Sequence, residues 1–202
     1  MLATLLGQGG NMGKDVIEIR WHGRGGQGVV TAGRLTAEIA LQAGYYVQSF
    51  PEFGPERSGA PVKAYNRISK NPIRKHYQIT EPDYVIVLDP TLLGNPDLKS
   101  GLKPESKVII NASEDLYDKI KEFFGKHEIY AVDATKISLD IFGRNIPNTP
   151  MVAAFFKISG LVNDENMYKI TLEWFEERLG KDLAEKNVEV AKRAWSEVKK
   201  LE

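Results

Sequence analysis

Two short stretches, YVIVLD (residues 84–89) and KVIINA (107–112), constrain the fold more than any other part of this chain. Each is an almost unbroken apolar run that is too short for a helix, and neither alternates as a half-solvated strand does. Runs of this kind occur in strands covered by helices on both faces, as in a parallel sheet. EIYAVDA (128–134) is a third of the same type. VIEIRWH (16–22) alternates instead, with Val16, Glu18, Arg20 and His22 opposite Ile17, Ile19 and Trp21, which predicts a strand partly open on one face. VKAYNRIS (62–69) sets Lys63, Tyr65 and Arg67 against Val62, Ala64 and Ile68, and reads as a strand turned to solvent or to a partner. YYVQSF (45–50) reads as one more strand.

Helical periodicity fills the intervals. Ala32, Leu35, Ile39 and Ala43 recur at steps of three and four, with Gly44 as a C-terminal stop. EDLYDKIKEFFG (114–125) places Leu116, Ile120 and Phe124 on one stripe, with Ser113 as N-cap. Beyond NIPNTP the chain reads as wholly helical. One helix is capped by Thr149, has Pro150 as its first residue and runs to about Val162. A second runs from about Glu165 to Leu179 and ends at Gly180, and a third runs from about Asp182 to the end. The expectation is an α/β, Rossmann-like domain, with a mainly parallel sheet flanked by helices and a C-terminal helical segment. Residues 15–202 are expected as one domain, and residues 1–14 as a flexible N-terminal extension with Met12 as an alternative start.

The 27 basic and 27 acidic side chains cancel, so neither nucleic acid nor a membrane surface is an expected partner. No run approaches the roughly 20 apolar residues of a membrane span, and no secretory signal is legible, so a cytoplasmic location is expected. The chain has no cysteine, which excludes disulfides, thiolate zinc sites and iron–sulfur clusters ligated by its own residues.

Between the first strand and the first helix lies Gly23-x-Gly25-x-x-Gly28. A glycine turn at a helix N-terminus exposes backbone N–H groups where a phosphate is favourable. A dinucleotide site also needs a carboxylate about 20 residues on, at the end of the second strand. That neighbourhood reads Val47, Gln48, Ser49, and the nearest acid is Glu52, so a stand-alone NAD-binding protein has only half its fingerprint. The alternative is that the glycines allow close strand–helix packing or contact with another molecule, with a positive φ expected at Gly25. Gly28-x-x-x-x-Gly33 is followed by Arg34-Leu35, which is not a P-loop. His22, His76 and His127 are too widely spaced to suit a metal site, and Asp89 and Asp133 end strands where they either cap the next turn or face a ligand. Trp174 and Trp195 are core or interface anchors.

The wording GRGGQGVVTAGRLTAEIA, followed by FPEFGPERSGAPVKAYNRIS, resembles the gamma subunits of the 2-oxoacid:ferredoxin oxidoreductases, those of the pyruvate enzymes most of all. The turn (Gly23 to Gly28), the loop (Pro55 to Gly59) and the strand ending (Arg67 to Ser69) come in the family's order. PDYVIVLD, the asparagine before the helix near Thr149, and AEKNVEVAKRAW extend the likeness over about residues 16–198. Ser58 departs from it, standing where many members have arginine or glycine.

The resemblance implies an enzyme that interconverts pyruvate and coenzyme A with acetyl-CoA and carbon dioxide, using ferredoxin as electron carrier. It implies alpha, beta and delta partner subunits that hold thiamine diphosphate, Mg and [4Fe-4S] clusters. The resemblance implies that this chain binds no cofactor alone and has no catalytic residue, with a structural role that extends to helping cover the site that coenzyme A approaches. A related enzyme for 2-oxoisovalerate, 2-oxoglutarate or indolepyruvate is the alternative. The residues implied in ligand or subunit contact are Gly23, Gly25, Gly26, Gln27, Gly28, Arg57 and Asn148. Each also has a local reading: an ion pair of Arg57 with Glu52 or Glu56, capping by Gln27 and the glycines, and a turn at Asn148.

Overall fold

The computed structural model describes residues 16–52 and 59–202. The expected extension 1–14, and Arg57 with the middle of its loop, lie outside the described residues.

Among the described residues seven strands form one sheet. They are β1 (Val16–Arg24), β2 (Tyr46–Pro51), β3 (Pro61–Ser69), β4 (Tyr84–Val87), β5 (Lys107–Asn111), β6 (Glu128–Val132) and β7 (Lys199–Lys200), in the spatial order β2-β3-β1-β4-β5-β6-β7. β1, β4, β5 and β6 pair in parallel, while β3 runs antiparallel between β1 and β2, and β7 antiparallel to β6. The helices are α1 (Val29–Gln42), α2 (Tyr117–Phe124), α3 (Ala134–Phe142), α4 (Asn148–Ser159), α5 (Asp164–Leu179) and α6 (Lys181–Glu197). The α/β class and the mainly parallel sheet read from the apolar runs are what the structure has.

Alternation inside those runs sends neighbouring side chains to different cores. Ile86, Leu88 and Ile109 join Trp21, Leu35, Ile39 and Phe155 beneath α1 and α4–α6. Val85, Val87, Val108 and Ile110 join Ile120 and Phe124 of α2 on the other face. The indole N–H of Trp21 donates to Asn66 Oδ1 (2.8 Å), whose own Nδ2 donates to the Gly33 carbonyl (2.9 Å). β1, β3 and α1 are thereby pinned at the point of closest approach.

Several expectations are corrected. The polar side of β1 is not open, because Glu18, Arg20 and His22 are buried, and so are Tyr65 and Arg67 across the β1–β3 ladder. Arg67 Nε donates to Glu18 Oε1 (2.8 Å), and its guanidinium lies over Phe50 and Tyr77. Arg20 donates from Nε to His22 Nε2 (2.8 Å) and from a terminal nitrogen to the Asp97 carbonyl (3.0 Å). Each buried charge thus has its hydrogen bonds, which is the condition for burying it. Burial, followed by the Arg20 and Lys63 cations, pushes His22 down to about 3, so it is neutral and accepts from Arg20.

The α4 cap is Pro147 rather than Thr149, which lies inside the helix and donates to Asn187 Oδ1 (2.8 Å). Ser113 does hold the N-cap position of the helical turn (Glu114–Leu116) that leads into α2, but its hydroxyl bonds to Asp115 rather than to a backbone N–H. α6 ends at Glu197, short of the chain end, and Lys199–Lys200 beyond it form β7.

Candidate functional site

The carboxyl end of β1 runs into the glycine turn. Gly26 (φ 97°) and Gly28 (φ 76°, ψ 31°) are its left-handed residues, and Gly25 is not. Gly28 takes the N-cap position of α1, which has no side-chain cap. The first-turn N–H groups of α1 are therefore left for something other than a capping side chain. Gly23 is glycine for a different reason: a Cβ there would come within 2.6 Å of Val29 Cγ2.

Gln27 staples the turn at both ends of its amide. Oε1 accepts from the Arg24 N–H (2.7 Å), and Nε2 donates to Asp89 Oδ2 (2.7 Å). Asp89, at the end of β4, also accepts from the Thr91 N–H (2.9 Å) and hydroxyl (2.7 Å) and pairs with Arg24 Nε (3.2 Å). Burial works to raise the Asp89 carboxyl, but the Thr91 and Gln27 hydrogen bonds and the Arg24 cation outweigh it and hold the carboxyl below its ordinary value. The local reading of Asp89 is thus what the geometry displays, and the same holds for Asp133, which accepts from the Lys136 N–H (2.9 Å).

The turn is tied to the end of the loop that follows β2. Gly25 N–H donates to the Ala60 carbonyl (3.0 Å), and Arg24 donates to the Gly59 carbonyl (3.1 Å). The glycine turn and Gly59–Ala60, far apart in sequence, therefore share one corner of the molecule.

Asn148 is the third party at that corner. It is the first residue of α4, and its side chain packs so closely on Gly28 that a Cβ there would lie 2.7 Å from Nδ2 and 3.0 Å from Cγ. Asn148 is 6% exposed, and its Oδ1 has no hydrogen-bond partner among the described residues. A buried amide oxygen left unpaired costs about 1–3 kcal/mol. Among the described residues, then, the start of α1 has no capping side chain, and the acceptor packed beside it is buried without a partner.

Of the residues singled out in the sequence, Gly23, Gly25, Gly26, Gln27, Gly28 and Asn148 come together here. Arg24 and Thr91 belong with them and were missed. The signal for Arg24 was its place inside the glycine motif; nothing in the sequence marks Thr91.

A dinucleotide reading finds its missing carboxylate in the wrong place. β2 is separated from β1 by β3, and Glu52 is occupied by the Tyr65 hydroxyl and by Lys63 (3.5 Å). An acid at the end of β2 is one strand too far from the glycine turn to hold its ribose.

Known proteins place this corner in context. The profile of the pyruvate ferredoxin/flavodoxin oxidoreductase family matches residues 18–197. The chain belongs to that family. It is 45% identical to the pyruvate synthase subunit PorC of Methanothermobacter thermautotrophicus over 92% of this chain and 98% of that one. It is 46% identical to the common gamma subunit of the pyruvate/ketoisovalerate oxidoreductases of Pyrococcus furiosus, over 93% and 100%. The crystal structure of pyruvate oxidoreductase subunit PORC from Thermotoga maritima superposes with a TM-score of 0.81 at 38% identity, over 94% of this chain and all of that one. Within the pyruvate ferredoxin/flavodoxin oxidoreductase family the chain is a gamma subunit, one part of an enzyme complex.

The chemistry of this oxidoreductase family calls for thiamine diphosphate, magnesium and iron–sulfur clusters. The chain offers no thiolate for a cluster, and among the described residues no three His, Asp or Glu side chains gather to hold a metal ion. The described residues thus supply no ligand set for a cluster or a metal ion. No helix among the described residues is long and apolar enough to cross a membrane.

Proposed function

We propose that this chain is the docking gamma subunit of a cytoplasmic pyruvate:ferredoxin oxidoreductase. In this reading alpha, beta and delta subunits carry the thiamine diphosphate, magnesium and [4Fe-4S] clusters and pass electrons to ferredoxin. The glycine turn, with Asn148 and the Arg57 loop, is the surface it lays against them, beside the approach of coenzyme A. The observation that carries this is the corner itself, a turn stapled by Gln27 at an α1 start without a capping side chain, beside an Asn148 Oδ1 that has no partner among the described residues.

Substrate choice falls to the other chains. A relative with 46% identity is the common subunit of oxidoreductases for two different 2-oxo acids, pyruvate and ketoisovalerate. A gamma subunit shared in that way does not select the acid, so 2-oxoisovalerate, 2-oxoglutarate or indolepyruvate as substrate remains a matter for the partners.

The test is reconstitution of the complex with Arg57→Ala and Asn148→Asp chains. Both variants should fold normally, and both should weaken assembly or raise the KM for coenzyme A while leaving the KM for pyruvate unchanged. A complete complex with ordinary coenzyme A kinetics in both would refute the assignment. Micromolar binding of NAD(H) by the isolated chain would favour the nucleotide-binding reading instead.

A further inference from the structure

The sheet ends differently on its two sides. β7 is two residues long and consists of the exposed lysines Lys199 and Lys200, a short cationic edge of the kind that turns an incoming strand away. β2 is six residues long and carries no charge. Its ladder to β3 sets Gln48 opposite Arg67 and Phe50 opposite Tyr65, and continues to the bond from the Glu52 N–H to the Lys63 carbonyl (3.0 Å). By the alternation of an antiparallel pair, Val47 and Ser49 point their N–H and C=O groups away from the sheet. No described residue takes those groups. Ser49 is exposed, and Tyr46 is 50% exposed.

We propose that β2 pairs with β2 of a second copy of this chain, antiparallel about a two-fold axis at Gln48, joining the two sheets edge to edge. The strand is its own complement. Val47 opposite the second copy's Ser49 exchanges both N–H···O bonds, and symmetry repeats the exchange. The same register sets Tyr46 across from the second copy's Phe50, twice, at the closer non-hydrogen-bonded positions where aromatic pairs contribute most. No charge meets a like charge, whereas a charged partner strand would find no counter-charge on β2. Pro51, lacking an N–H, ends the ladder after these residues.

Sedimentation velocity of the full chain over a wide dilution series tests this. The expected species at high concentration has twice the 22.6 kDa mass of the chain. Tyr46→Lys and Ser49→Pro should each raise the dissociation constant about tenfold or more. Neither should shift the melting curve much, since the Tyr46 side chain is exposed and the Ser49 N–H is not used within the sheet. The chain has no cysteine, so Gln48→Cys should cross-link to its own copy under mild oxidation, whereas Tyr46→Cys, out of register with itself, should not. A monomer at every concentration overturns the proposal, as does a dimer indifferent to both variants, or equal cross-linking at residues 46 and 48. Loss of binding to a different subunit in these variants, with the isolated chain monomeric, would assign the edge to that subunit and overturn the pairing of copies.

Discussion

Replacing Gly28 by alanine isolates the contact on which the candidate site rests. Both Gly26→Ala and Gly28→Ala place an L-residue in the left-handed region, at a cost of roughly 1–2 kcal/mol. At Gly26 that is the whole penalty, because a Cβ there meets nothing within 4 Å. At Gly28 the new methyl lands 2.7 Å from Asn148 Nδ2, 3.0 Å from Cγ and 3.2 Å from Cβ. Asn148 is almost fully buried at the start of α4 and has little room to retreat, so crowding adds about 1–3 kcal/mol. The expected losses in urea unfolding are therefore about 1–2 kcal/mol for Gly26→Ala and about 2–5 kcal/mol for Gly28→Ala. Asn148→Ala removes Nδ2 and Cγ but keeps the Cβ. Combined with Gly28→Ala, it should recover most of the difference, giving a coupling of about 1 kcal/mol or more. Equal losses at the two glycines, or strict additivity in the double variant, would mean that Asn148 does not press on the turn.

Three further outcomes follow from the same geometry. Gln27→Ala removes both bonds of the staple and should cost about 1–3 kcal/mol in urea unfolding, and a loss well below that would show that the turn is held without it. Gln27→Glu sets a carboxylate against Asp89, so it should be worse than alanine at neutral pH and recover relative to it as the pH falls into the carboxylate range; a pH-independent difference would refute the repulsion. His22 is neutral when folded, with its value lowered from 6.5 to about 3, so the unfolded chain binds the extra proton between those values. Stability should hold above 6.5 and fall by about 1.4 kcal/mol per pH unit at most on the way down, and His22→Gln should flatten that slope; an unchanged slope would show that His22 is not its source.

The parallel strands were legible because their signal is local. YVIVLD, KVIINA and EIYAVDA each state their own burial, and β4, β5 and β6 lie where those runs lie. What could not be read was set by residues far apart. Glu18, Arg20 and His22 look like a solvent face until Arg67 and Tyr65 arrive from β3 and the Asp97 carbonyl from beyond β4. The start of α4 was misplaced by two residues because Thr149-Pro150 carries a strong start signal, although Pro147 already provides the turn. α3 went unread, its nine residues falling between a strand and a proline-rich segment. At the candidate site the glycines were visible. The reason for Gly28 was not, because it lies in the side chain of Asn148, on another helix.

The insertion of β3 explains how one glycine motif comes to serve different ends. In a dinucleotide fold the strand beside β1 is parallel and ends in the carboxylate that grips the ribose. Here an antiparallel strand occupies that place, fixed by Asn66 to both Trp21 and Gly33, and the next parallel strand is moved out to the sheet edge. The turn keeps its backbone donors but loses the group that would recognise adenosine. It gains instead the loop end at Gly59 and Ala60, which hydrogen-bonds it directly. The corner thus keeps the glycine turn of a nucleotide crevice without the carboxylate that would complete it, because β3 stands where the carboxylate-bearing strand would be.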